Sequence, residues 1–182
     1  IVENIRTSRR YLSKIGMKKS IRELDFQLLN KHSLRSKLDE LLSPIEKGHD
    51  IGVLSEAGCP GIADPGAEIA AIAHRRGIRV VPLVGPSSIL LAIMGSGMNG
   101  QSFTFHGYLP KDRRLRIAAI QELENTAMRT GASQVFIETP FRNRHIVQDI
   151  VKHCNNETLL CLGTDLTLES ESMVTRTIGA WE

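Results

Sequence analysis

Long apolar runs are absent from this 182-residue chain. No stretch reaches the ~18 consecutive apolar residues that a bilayer-spanning helix needs, so no membrane partner is expected. Cysteine is scarce. Cys59, Cys154 and Cys161 are too few and too scattered for a disulfide framework, and an odd count fits a reducing compartment. No CxxC and no Cys/His pair at zinc-ligand spacing occurs, so no metal is expected. Ile1-Val2-Glu3-Asn4 has neither the basic start nor the apolar core of a secretion signal, and the expected location is cytoplasmic. Aromatic residues make up 4%, which offers no base-stacking platform. The phosphate fingerprints GxGxxG and GxxxxGKS/T are missing, which argues against an NTPase or a dinucleotide oxidoreductase.

What is present describes a folded chain. Hydrophobic residues make up 41% and charged residues 24%. Lys+Arg 23 against Asp+Glu 20 gives +3, which permits an anionic partner such as RNA without requiring one. The length suits one large domain or two small ones.

Periodicity predicts a helix over Ile1 to Ile15, then a mixed polar stretch, then a helix from Ser36 to about Ile45. Ile51 to Ser55 has the pattern of a buried strand. The segment from Glu56 to Gly66 holds three Gly and two Pro and forbids a regular element. A helix follows from Ala67 to Arg76, a strand from Arg79 to Leu83, and an apolar helix from Ser88 to Met94. This strand–loop–helix alternation predicts an α/β fold whose N-terminal half carries a mostly parallel sheet. Phe103 to Phe105 closes that half. A linker near Tyr108 gives expected domains 1–107 and 108–182. The second half reads as a helix from Arg113 to Met128, a strand from Gln134 to Glu138, a helix from Phe141 to His153, a strand from Thr158 to Leu162, and an exposed or antiparallel strand over Val174 to Ile178.

Ligands of open α/β sheets sit beyond the carboxyl ends of strands. Loop 56–66 is long for a connection of about 2–6 residues, and Gly58, Gly61 and Gly66 either let backbone approach a ligand closely or simply punctuate a rigid connector. Ser87 and Ser88 bring two hydroxyls to a helix start, as ligand contacts or as a plain N-cap. Glu138 ends a strand at the same kind of edge, either as a polar contact or as a strand-end residue facing water. Arg142 and Arg144 open a helix, where the dipole disfavours cations, and Arg113, Arg114 and Arg116 with Lys111 form a basic cluster. Each set reads either as a seat for an anion or as a solvated face. The six histidines are dispersed, and no Ser–His–Asp order emerges.

Val53-Leu54-Ser55-Glu56-Ala57-Gly58-Cys59-Pro60-Gly61-Ile62-Ala63-Asp64-Pro65-Gly66 resembles the long cofactor loop of the tetrapyrrole methylase family. It is most similar to the branch that methylates the 2′-hydroxyl of a cytidine in small-subunit ribosomal RNA. Pro82-Leu83-Val84-Gly85-Pro86-Ser87-Ser88, Phe103 to Lys111, and Phe136-Ile137-Glu138-Thr139-Pro140-Phe141-Arg142 resemble three further family segments in the right order. Asn4 to Arg9 and Thr164 to Thr167 resemble flanking segments.

The resemblance implies S-adenosylmethionine as cofactor, a homodimer, and two α/β domains with the cofactor between them. Cofactor contacts carry over to Ala57, Gly58, Cys59, Ile62, Ser87, Ser88 and Glu138, and Gly179 matches a glycine of the family's last motif. The branch usually has Asp at the position of Glu56 and Thr at the position of Cys59. The family also begins with a strand and a Pro/Gly loop that would precede Ile1, so the first strand is expected to be absent from this chain. The C-terminal domain is expected to be incomplete after Gly179.

Methyl transfer from a sulfonium is an in-line displacement in which the protein mostly positions and desolvates. A ribose hydroxyl is a weak nucleophile that a base would help. Glu56 and Asp64 are the acidic candidates, although Asp64 can instead bond its own turn. The expected activity is S-adenosylmethionine-dependent methylation of 16S ribosomal RNA, with the RNA or the 30S particle as partner and Arg113, Arg114, Arg116, Arg142 and Arg144 holding it. The alternatives are a methylase of a tetrapyrrole or other small molecule, and a non-catalytic relative that binds cofactor or RNA.

Overall fold

Asn4 decides where the first helix starts. Its side-chain oxygen accepts from the backbone N–H groups of Arg6 (3.0 Å) and Thr7 (3.4 Å), which caps α1 (Ile5–Lys14). The computed structural model describes residues 1–17, 20–29 and 38–181. The helix expected from Ile1 therefore begins four residues later. Ile1 and Val2 are extended instead, and Val2 forms parallel bridges to Leu28 on one side and Leu54 on the other. The N–H of Val2 donates to Gln27 O, that of Leu29 to Val2 O, and that of Leu54 to Ile1 O.

Backbone contacts divide the chain into two units, Ile1–Gly85 and Pro86–Glu182. The boundary expected at 107/108 falls inside the second. In the first unit, a single 3-10 turn (Glu40–Leu42) leads into the one-turn α2 (Ser43–Glu46), with Pro44 at its start. The expected helix start at Ser36 lies outside the described residues. The next helix, α3 (Ala67–Arg75), buries Ile69, Ile72 and Ala73 at helical spacing. These pack with Ile1, Leu29, Leu38 and Leu42 into one core. Residues 79–83, expected as a strand, pair with no strand among the described residues. Leu83 and Val84 there are fully open to solvent.

The second unit opens with α4 (Ser88–Ser96). Gly95 lets this helix lie against Met173, whose sulfur a Cβ would strike. Next, β1 (Phe103–Tyr108), α5 (Arg113–Thr130) and β2 (Ser133–Ile137) form a parallel strand–helix–strand unit in which Phe103 pairs with Ser133 and Tyr108 with Ile137. The strand expected to close the N-terminal half is therefore bonded to the chain that follows it. Asp112 caps α5 by accepting from the N–H of Leu115 at 3.0 Å, and Gly131 ends it in the left-handed conformation. Then come α6 (Asn143–His153) and an antiparallel pair, β3 (Leu159–Thr164) with β4 (Ser172–Thr177), as the weak alternation near Val174 allowed. Leu109, Ile120, Ile146, Ile150 and Ile178 form the core of this unit.

A buried charge network holds α6 to the start of α5. Asp149 Oδ2 accepts from Arg116 Nε (2.9 Å) and Nη2 (2.7 Å), and Oδ1 accepts from Arg113 Nε (3.1 Å). Asp149 and Arg116 are both buried. Burial pushes the Asp149 carboxyl up, but the bonds and charges of Arg116 and Arg113 outweigh it and hold the carboxyl below the ordinary value of 3.8. A carboxyl depressed in the folded state contributes its full stability above that value and loses it as the pH falls further. Asp149→Asn strands the Arg116 guanidinium, and urea unfolding is expected to show a loss of about 3–5 kcal/mol at neutral pH. That loss should shrink in acid, where the native carboxyl also takes a proton. A neutral-pH loss below about 1 kcal/mol would remove the network from the account of stability.

Candidate functional site

Loop 56–66 leaves the carboxyl side of the Leu54 bridge, as a ligand loop of a parallel sheet does. Its course needs glycine. Gly58 (φ 73°), Gly61 (φ 81°) and Gly66 (φ 137°) all have positive φ. Gly61 N–H donates to Pro65 O at 3.2 Å and Ile62 N–H to Cys59 O at 3.1 Å, so the loop folds back on itself. At Gly66 a Cβ would lie 3.0 Å from the backbone N of Gly61, whereas at Gly58 it would meet nothing within 4 Å. Gly66 therefore closes the loop, and Gly58 presents bare backbone to open space. Ala57 and Ile62 are exposed beside it, and Cys59 and Asp64 are half-buried.

The start of the loop is tied to α1. Thr7 Oγ1 donates to Glu56 Oε1 at 2.6 Å, and Glu56 N–H donates to Glu3 Oε1 at 3.1 Å. Glu3 follows the Val2 bridge much as Glu56 follows the Leu54 bridge, so both carboxylates stand at the same carboxyl edge. Glu3 and Thr7 are functional candidates that sequence reasoning missed. Ile1-Val2 is too short to carry a periodic signal, so nothing in the sequence marks them.

In the second unit, Ser87 is the N-cap residue of α4 but makes no side-chain capping bond, which leaves its hydroxyl for other use. Ser88 is exposed. Glu138 follows the end of β2, and its side chain is 6% exposed. Its Oε1 accepts from Thr139 N (2.7 Å) and Thr139 Oγ1 (3.3 Å). Its Oε2 lies 3.1 Å from Arg142 Nη2, yet makes no hydrogen bond and is buried. The Arg142 donor is aimed elsewhere, at the carbonyls of Leu109 (3.1 Å) and Pro110 (3.0 Å). A buried carboxylate oxygen without a donor is a costly vacancy that a ligand N–H or O–H would fill.

Two of the basic residues expected to hold RNA turn inward. Arg116 is spent on Asp149 and, through Nη1 at 3.0 Å, on Lys111 O. Arg142 braces segment 109–110 from beside Glu138. Arg113, Arg114 and Arg144 are exposed. Gly179 packs against Asn156, 3.3 Å from where a Cβ would sit, and its N–H donates to Asn156 O; this close packing accounts for a glycine there. No group of His, Cys, Asp and Glu among the described residues can hold a metal ion, and no described helix is long and apolar enough to cross a membrane.

The residues present fit an adenosyl sulfonium ligand. In the first unit bare backbone at Gly58 supplies polar contacts; in the second the Ser87 hydroxyl and the Glu138 carboxylate, flanked at 3.1 Å by Arg142, supply others.

The fold matches that of the methyltransferase CobJ, with a TM-score of 0.60 at 14% identity over 93% of this chain and 73% of that one. No family model matches the chain. Among curated proteins, the chain is 31% identical to the ribosomal RNA small subunit methyltransferase I of Haemophilus influenzae, over 97% of this chain and 59% of that protein. It is 29% identical to the Mesorhizobium japonicum protein of the same name, over 98% of this chain and 58% of that protein. For the Escherichia coli O157:H7 protein the identity is 31%, over 84% and 53%. The chain spans about half to three-fifths of the length of these relatives. The four ordered motifs that resemble the tetrapyrrole methylase family thus lie on a chain whose fold is like that of CobJ.

The two loop glycines separate folding from exposure. Gly66→Ala, at a φ that side chains rarely adopt and against backbone, should lower stability by about 2 kcal/mol. Gly58→Ala, strained but unobstructed, should cost about 1 kcal/mol. Urea midpoints of the two variants measure the difference, and the reverse order would contradict this division of roles.

Proposed function

We propose that the chain is part of an S-adenosylmethionine-dependent methyltransferase that methylates a ribose 2′-hydroxyl of a cytidine in small-subunit ribosomal RNA. The observation that carries the reading is loop 56–66. It is a glycine-turned loop at the carboxyl edge of parallel bridges, with Gly58 backbone open to a ligand. The names of the relatives aligned over nearly the whole chain support the choice of RNA. Likeness to CobJ supports the fold and does not favour a small-molecule substrate over RNA.

When bound, the cofactor supplies a methyl group on a positively charged sulfur. The chain's own residues bind and orient. Ala57, Gly58, Cys59 and Ile62 offer backbone to the cofactor, Ser87 and Ser88 offer hydroxyls, and Glu138 Oε2 accepts a ligand hydrogen bond. Glu56 is the acidic group at this edge best placed to accept a hydroxyl proton, because Thr7 and Glu3 fix both its side chain and its backbone. Arg113, Arg114 and Arg144 attract RNA phosphates. Arg116 and Arg142 act on the RNA indirectly, by holding segment 109–111 and α6 in place. Leu90 and Met94, exposed four residues apart on α4, support the homodimer of this reading.

Calorimetric titration with S-adenosylmethionine is expected to show binding in the wild type and at least tenfold weaker binding in Gly58→Val. Unchanged affinity in a folded Gly58→Val protein contradicts the loop assignment. Labelled methyl groups should enter 30S particles and not free tetrapyrrole, and the reverse would select the small-molecule reading. Replacing Arg114 and Arg144 with Ala should cut transfer to 30S particles severalfold at low salt and by less as salt rises, with cofactor affinity kept.

A further inference from the structure

Between helices α5 and α6 of the second unit lies a half-open cavity of about 440 Å³, lined by Arg113, Arg116, His145, Gln148, Asp149 and Lys152. We propose that this cavity is a phosphate seat, occupied by a phosphodiester of the RNA substrate. The identity of that occupant rests on the methyltransferase reading above; the seat itself rests on the side chains.

Four of these residues come from one face of α6. His145, Gln148, Asp149 and Lys152 recur at helical spacing, so they stack along a single stripe. Arg113 and Arg116 face them from the first turn of α5, where the helix dipole adds positive potential. Asp149 is the one acid in the lining, and both its oxygens are already engaged by the two arginines. With His145 neutral, the lining keeps a net charge of two positive units.

The free donors are what make this a seat and not a closed ion pair. Arg113 uses only Nε on Asp149, and its side chain is 66% exposed. Its two terminal nitrogens therefore form a fork already held at one end, the arrangement that suits bidentate phosphate binding. Lys152, His145 and Gln148 are exposed and make no side-chain bond among the described residues. An ammonium, an imidazole and an amide thus remain to complete the shell of a tetrahedral anion.

The test uses Lys152→Gln and His145→Gln, singly and together, because neither residue takes part in the buried network. The probes are inorganic phosphate and a small-subunit ribosomal RNA fragment, each titrated across a range of salt. The double variant should bind the RNA about tenfold more weakly, with the slope of log affinity against log salt reduced by about one, as expected for one lost phosphate contact. Its affinity for S-adenosylmethionine should stay as in the wild type. In the wild type, inorganic phosphate should shift the His145 ring resonances and compete with the RNA. Unchanged RNA affinity and slope in the double variant overturn the seat and leave the methyltransferase reading standing. Phosphate that binds without displacing RNA overturns the RNA occupant. A wild-type chain that binds S-adenosylmethionine but no RNA overturns the occupant together with the RNA-substrate reading.

Discussion

A buried carboxylate is tolerable only if its charge and lone pairs are met, and in the second unit Asp149 imposes that condition. Its partners come from the first turn of α5, so the network sets where that helix begins relative to α6. The consequence spreads along the chain. Arg116, once held by Asp149, reaches Lys111 O, while Arg142 at the start of α6 reaches Leu109 O and Pro110 O. Two arginines thereby pin the connection between β1 and α5. Since β1 and β2 are parallel, that connection and Glu138 stand at the same carboxyl edge. The charge network thus shapes the edge where ligand contacts are proposed.

The first unit reaches a similar end with almost no sheet. Val2 bridges two extended segments by single pairings, and the apolar face of α3 supplies the core beneath them. Loop 56–66 depends on anchors at its ends. Gly66 closes one end against Gly61, and Thr7 and Glu3 hold the other through Glu56. Between these anchors Gly58 is left unobstructed, so a rigid frame presents accessible backbone.

The basic residues show how one sequence signal divides into different physical roles. Arg113, Arg114 and Arg116 look alike as a cluster, but helical spacing sends Arg116 into the interior and leaves Arg114 outside. Arg113 stands between, with one nitrogen bound inward and two facing out. Arg142 and Arg144 divide in the same way. A helix start that disfavours a cation accepts Arg142 because backbone carbonyls and Glu138 surround its guanidinium.

Elements whose causes are local can be read from the order of residues alone. Asp112 and Gly131 bound α5, the spacing of Ile69, Ile72 and Ala73 marks the buried face of α3, and the Gly/Pro punctuation of 56–66 excludes helix and strand. The family resemblance was also legible there, because the motifs that carry it are contiguous. The tertiary structure alone decided what depends on distant partners. Ile1-Val2 is too short to show a period, and its extended form comes from hydrogen bonds to Gln27 and to residues near Leu54. Segment 79–83 has a strand's composition but pairs with no strand among the described residues, since a ladder needs a second chain segment at hydrogen-bonding distance. The roles of Arg116 and Glu138 were equally hidden. Asp149 lies 33 residues from Arg116, and the orphaned Glu138 oxygen exists only because Arg142 points elsewhere. Capping and periodicity act within a few residues and leave their mark in the sequence, whereas charge pairing and strand partnership are fixed by contacts that exist only after folding.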